Sequence, residues 1–170
     1  MVTLVELLAL TLPDEQVYVI LKSFKDDFIF TDCALITRRG NSTIGTKKHV
    51  FRHDYCESSF SGVSLRTPGI ATLDRDGVLR FIINEEQHEV DIRKDEWHKV
   101  FPLYHALIAL QRAQHMNAAT AAMQREIMGK VIFNVDPGQA LEAVSAFATE
   151  QIAKYQPVSY KHILEYYLKR

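Results

Sequence analysis

Between Asp32 and Asp54 the sequence carries no carboxylate, yet it holds Arg38, Arg39, Lys47, Lys48 and Arg52, together with His49 and His53. Guanidinium and ammonium groups at this density are anion chemistry: they hold a phosphate, a sulfate or a carboxylate through charge-assisted hydrogen bonds. Strand alternation sends Lys47 and Lys48 to opposite faces, so only part of the cluster converges. Two or three cations ringing one open end of a barrel therefore form the candidate anion site, drawn from Arg38, Arg39, Lys47 and Lys48. The competing reading is a solvated hairpin edge that Lys and Arg protect from aggregation. His49 and His53 share a strand face with Lys47, which makes a metal conceivable. Lys47 and Arg52 would repel a cation, however, and no third ligand stands out, so no metal is expected. His98 and His105, seven apart on one helix face, read as surface or interface histidines.

Other chemistry is missing. There is no Gly-x-Ser-x-Gly elbow, no His-Glu-x-x-His, no Gly-x-x-x-x-Gly-Lys loop and no Gly-x-Gly-x-x-Gly. Neither an enzyme nor a cofactor is expected, because no paired acid and base or activated nucleophile can be assembled. The formal net charge of -1 gives no global case for nucleic acid or an anionic membrane. Two cysteines, Cys33 and Cys56, make neither a disulfide scaffold nor a four-ligand zinc site, and they fit a reducing cytoplasm.

The elements that must position the basic cluster are strands. A content of 47% hydrophobic and 24% charged residues places the chain among folded proteins, and 170 residues suffice for one good core with a small appended subdomain. The apolar start through Leu10 lacks a basic leader and carries Glu6. It reads as a short docked helix, with an in-plane membrane anchor as the lesser alternative. Val17 to Lys22 alternates as a first strand. Asp26 to Phe51 is an antiparallel meander turning at Gly40-Asn41, and Phe60 to Leu65 follows it. Ile70 to Leu73 is short and extended, and Asp74-Arg75-Asp76-Gly77 is a hairpin turn. Val78 to Ile83 and the alternating His88, Val90 and Ile92 complete seven or eight strands of an antiparallel sandwich or small barrel.

The period then lengthens. Trp97, Val100, Phe101, Tyr104, Leu107, Ile108 and Leu110 mark an amphipathic helix that plugs the barrel, with Pro102 early in it. Ala118 to Met128 continues as a helix, with Gly129 as its C-cap and Val131-Ile132-Phe133 as an apolar connector. A further helix starts at Pro137 with Asp136 as N-cap, Pro157 ends it, and Ser159 caps a last one. The expected division is residues 1–115, a β-barrel with its capping helix, and 116–170, a helical extension packed on the barrel or on another copy.

These residues resemble the bacterial pleckstrin-homology-like (bPH) domains over roughly Leu12 to Gln114. The likeness rests on Asp27 through Phe30-Thr31-Asp32, Leu35-Ile36, Gly45-Thr46-Lys47-Lys48, Tyr55, Phe60, Gly69, Asp74, Leu79 with Phe81, and Asp91-Ile92. The family's usual Pro before that Tyr is absent, and the tail beyond Gln114 lies outside the likeness. The resemblance implies an α+β fold: a PH-like bent antiparallel sheet or barrel of about seven strands, closed by a C-terminal helix. It is also compatible with ring-forming assembly.

The functional expectation is a non-catalytic binding or scaffolding module working through protein–protein contacts, and a homo-oligomer. A basic first half and an acidic stretch from Asp74 to Glu96 are suited to head-to-tail contacts between copies. Tyr155, Tyr160, Tyr166 and Tyr167 serve either an interface or internal packing. The alternative function is a peripheral membrane domain at the inner face of the membrane, holding anionic phospholipid or phosphoinositide headgroups with Arg38, Arg39, Lys47 and Lys48.

Overall fold

The computed structural model describes residues 8–23, 26–40, 48–67, 77–132 and 137–169. Most of the expected N-terminal helix (residues 1–7), the extended Ile70 to Leu73, most of the Asp74–Gly77 turn and the Asp136 cap lie outside those residues. Among the described residues, seven strands form two antiparallel sheets. The first sheet is β1 (Val17–Lys22), β2 (Asp26–Thr31), β3 (Ala34–Gly40) and β4 (Lys48–Asp54), each paired with the next. The second is β5 (Phe60–Arg66), β6 (Gly77–Ile83) and β7 (Glu86–Ile92). The architecture is the α+β, PH-like one expected from the sequence, with the bent sheet split into a four-stranded and a three-stranded layer.

Alternation decides which side chains meet between the layers. Phe28 and Phe30 on β2 and Phe60 on β5 converge on Phe81 of β6, with ring centroids 5.7–6.2 Å apart. The opposite face of the first sheet has its own small cluster, in which Leu10, Val17 and Ile20 pack on Ile29 and Ile36. After a single 3-10 turn (Lys94–Glu96), helix α1 (Trp97–Ile132) supplies the plug. Val100, Leu103, Ala106, Leu107 and Leu110 are fully buried at three- and four-residue steps. Phe101, which the sequence pattern assigned to this stripe, is exposed instead. Gly77 shows how closely the helix start approaches β6. A Cβ there would lie 2.3 Å from the Trp97 ring and 2.7 Å from the Arg66 carbonyl oxygen, so only hydrogen fits.

Helix α1 passes through Pro102 and through Gly129, which corrects the C-cap expected at Gly129. An interior glycine costs about 1 kcal/mol relative to alanine, too little to end a helix whose ladder continues on both sides. Val131 and Ile132 are accordingly its last residues and not a connector.

The chain divides into two compact units: one runs to Leu110 and resumes at Val158, and the other is Gln111–Pro157. The expected extension 116–170 therefore splits, and its end belongs with the barrel. Asp32 is the reason: its carbonyl accepts the Tyr160 N–H at 2.8 Å and its Oδ2 accepts the Ser159 hydroxyl at 2.8 Å. Tyr160 is buried with its ring 6.3 Å from that of Tyr55, and Leu164 of helix α3 (Lys161–Leu168) is fully buried. In the second unit, the C-terminal part of α1 and helix α2 (Pro137–Tyr155) line a groove of about 310 Å³ with Ala121, Met128, Val144 and Phe147. Gln124 donates to the Tyr155 hydroxyl across it at 3.2 Å.

Candidate functional site

The strand that carries Arg38 and Arg39 alternates, and it sends them to opposite faces of the first sheet. Arg38 lies opposite Asp27 in the β2–β3 register and pairs with it, Nε donating to Oδ2 at 2.8 Å. Both side chains are largely buried. Arg39 lies on the face that looks toward the second sheet and pairs with Glu86 of β7. Its guanidinium also stands over the Phe51 ring, 5.6 Å from the centroid. Lys48 opens β4 opposite Gly40, and Lys47 lies outside the described residues. The described arginines of the proposed anion site are thus apart in space, each with its own carboxylate.

Arg52, the fifth member of the basic run, points to neither group. It donates to Glu15 at 2.8 Å and to Asp54 at 2.8 Å. Glu15 is the centre of that arrangement, with its side chain only 2% exposed. It accepts from the Thr31 hydroxyl, from Arg52 and from the Leu12 N–H. Burial alone would raise its carboxyl, but the hydrogen bonds from Arg52, Thr31 and Leu12 outweigh this and hold it below its ordinary value. Sequence reading passed over Glu15 because nothing local marks it; its partners come from β2 and β4. Nearby, burial and then the charge of Asp32 push the Cys33 thiol up to about 11, which keeps it protonated and unreactive.

Arg39 opens onto a second cluster at the other end of the strand. His53 lies opposite Leu35 in the β3–β4 register, on the face shared with Arg39. Glu86 and His88 start β7 and share its inward face with Val90 and Ile92. They are aimed by a two-residue hairpin turn, Asn84-Glu85, with φ of 49° and 67° between the paired Ile83 and Glu86. The Asn84 side chain fastens that turn by donating to the Ser58 hydroxyl at 2.9 Å. His88 is 3% exposed, stacked on Phe81 at 5.2 Å and edge-on to Phe28 and His53 at 6.0 Å.

One donor atom each from His53, Glu86 and His88 lies within 4.8 Å of the others. Burial, with Arg39 beside it, pushes His88 down to about 4, and burial also lowers His53, so both imidazoles are neutral near pH 7. The Arg39 guanidinium in turn holds Glu86 below its ordinary carboxylate value. The Nε2 atoms of both histidines are buried without a hydrogen-bond partner. Sequence reading had paired His53 with His49, four residues away; its spatial neighbours come instead from the second sheet. The alternation of Glu86 and His88 was the only local signal. His98 and His105 are exposed, as expected, and His105 stacks on Tyr167.

Comparison with known proteins places this architecture. The family model described as bacterial PH domain matches residues 4–111. The uncharacterized protein YvbH of Bacillus subtilis (strain 168) is 28% identical over 119 residues, which is 70% of this chain. The chain spans 57% of the length of that relative. A PH domain containing bacterial protein from Exiguobacterium sibiricum 255-15 has a similar crystal structure, with a TM-score of 0.78 and 21% identity over 91% of this chain and 86% of its own. A pleckstrin homology domain from Shewanella amazonensis SB2B matches 63% of this chain and 93% of its own length, with a TM-score of 0.46 and 21% identity. No helix among the described residues is long and apolar enough to cross a membrane.

Proposed function

The chain belongs to the bacterial PH domain family, and from that premise we propose that it works through protein–protein contacts and self-assembly as a scaffolding module. The family is in general one of non-catalytic binding modules. The observation that carries the finer reading is the outer edge of the first sheet. Strand β4 ends the order β1-β2-β3-β4, and it presents Val50 and Phe51 at 47% and 46% exposure. Two neighbouring exposed apolar side chains on an edge strand offer a foothold for an added strand, from a partner or from a second copy. Headgroup binding is supported less well. Arg38 and Arg39, which that role needs free, are each paired with a carboxylate.

Light scattering at high micromolar concentration tests assembly, with Val50→Lys as the comparison because that side chain lies on the face away from Arg39. The wild type is expected as an oligomer and the variant as a smaller species. A strictly monomeric wild type removes the self-assembly reading. Co-sedimentation with anionic vesicles that vanishes with salt and with Lys47→Ala/Lys48→Ala would favour the peripheral membrane alternative instead.

A further inference from the structure

Two buried histidine nitrogens without hydrogen-bond partners, one of them 3.8 Å from a carboxylate oxygen of Glu86, are an arrangement that packing alone does not account for. A buried polar atom left unpaired is destabilising, and here two such atoms lie in one small cluster. We propose that His53 Nε2, His88 Nε2 and the Glu86 carboxylate form a binding site for a divalent transition-metal ion of the zinc class, with Arg39 as the cation that the metal displaces.

The donor set selects the ion. Two imidazoles and one carboxylate suit zinc, cobalt, nickel or copper, whereas magnesium and calcium favour oxygen-only shells. Donors around one zinc stand about 3–3.5 Å apart, each about 2.1 Å from the metal. Closing the cluster from 4.8 Å therefore asks for a shift of about 1 Å or less per donor. His88 is packed between Phe81 and Phe28, while Glu86, 47% exposed, has room to move inward once Arg39 releases it. That exposure also leaves an open coordination position toward solvent.

Arg39 gives the site its logic. Its Nη2 lies 3.0 Å from His88 Nδ1, and a guanidinium only donates, so Nδ1 accepts and the ring proton sits on Nε2. Metal binding at Nε2 requires the other neutral tautomer. The proton leaves Nε2, one is taken up at Nδ1, and Arg39 must withdraw from both Nδ1 and Glu86. The arginine and the metal are thus alternative counter-cations for one carboxylate. The repulsion expected from Arg52 does not arise, because Glu15 and Asp54 neutralise it.

The test is a cobalt(II) and zinc titration of the full chain after chelator treatment, followed by cobalt absorption and calorimetry, with circular dichroism on every variant. One ion per chain is expected, and Glu86→Gln and His53→Gln should each weaken binding at least tenfold. His88→Ala removes a buried ring, so the two exchanges nearer the surface carry the argument if it unfolds. Arg39→Ala should tighten binding about tenfold, an effect opposite to that of losing a ligand. Absence of stoichiometric binding, binding indifferent to both His53→Gln and Glu86→Gln, or weaker binding by Arg39→Ala would each overturn the proposal. Histidines elsewhere, such as His49, His98 and His105, predict such indifference.

Discussion

Glu15 and Glu86 are each paired with an arginine of the four-stranded sheet, Arg52 on β4 and Arg39 on β3. Around Glu15 the polar groups use one another up: both carboxylate oxygens accept, Arg52 has a second partner in Asp54, and the Thr31 hydroxyl donates in place. Around Glu86 the pairing is exposed, and the two histidine Nε2 atoms behind it are left over. A buried carboxylate saturated with donors is a structural lock, since losing it strands several groups at once. A half-exposed pair beside unused nitrogens holds little stability and keeps coordination capacity for something else. The second unit differs from both, because its groove between α1 and α2 is mainly apolar with one polar bridge.

The largest contrast should appear in urea unfolding. Glu15→Ala is expected to cost about 2–3 kcal/mol, because it leaves the Leu12 amide without its acceptor, Arg52 with Asp54 alone and the Thr31 hydroxyl with the Ala34 carbonyl alone. Glu86→Ala should cost at most about 1 kcal/mol, as for other exposed pairs. Equal losses would erase the distinction. Next in size is Asp32→Ala, about 2 kcal/mol, since it removes the acceptor of the Gln16 amide and of the Ser159 hydroxyl. Hydrogen exchange at the Tyr160 amide should accelerate in that variant if the returning segment is held mainly from Asp32.

Acid sharpens the comparison further. The Glu15 carboxyl titrates below its ordinary 4.5 in the fold, so its stabilising contribution is complete above that pH. It is lost as the pH falls through the lower folded value. The stability gap between wild type and Glu15→Gln, followed by denaturation from about pH 6 to about pH 3, should therefore close in acid. A gap that widened on acidification would mean the carboxyl is raised in the fold. The smallest effect concerns the turn behind Glu86. Glu85 has a φ of 67°, a conformation that costs a non-glycine residue about 1–2 kcal/mol. Glu85→Gly should stabilise by about 0.5 kcal/mol in thermal melts, after the entropy that glycine gives back.

Much of this was legible one residue at a time. Strand alternation in Val17–Lys22 and from His88 to Ile92, and the three- and four-residue steps from Val100 to Leu110, depend on local geometry, so the barrel and its plug followed from them; the family followed from the ordered residue likeness between Leu12 and Gln114. Sequence reading applied alternation to Lys47 and Lys48 alone, yet the same alternation separates Arg38 from Arg39. Gly129 misled because a residue preference for helix ends is weaker than an intact hydrogen-bond ladder, and the end of the chain was assigned to the wrong unit because its anchor, Asp32, is 127 residues away. What the sequence determined by itself is therefore the periodicity of each element and the side on which each residue lies. What only the tertiary structure decided is which of those sides meet: Arg39 finds Glu86 and His88 across 47 and 49 residues because the two sheets fold face to face. Contact between layers depends on the register and closure of both, and no local pattern in either strand carries that information.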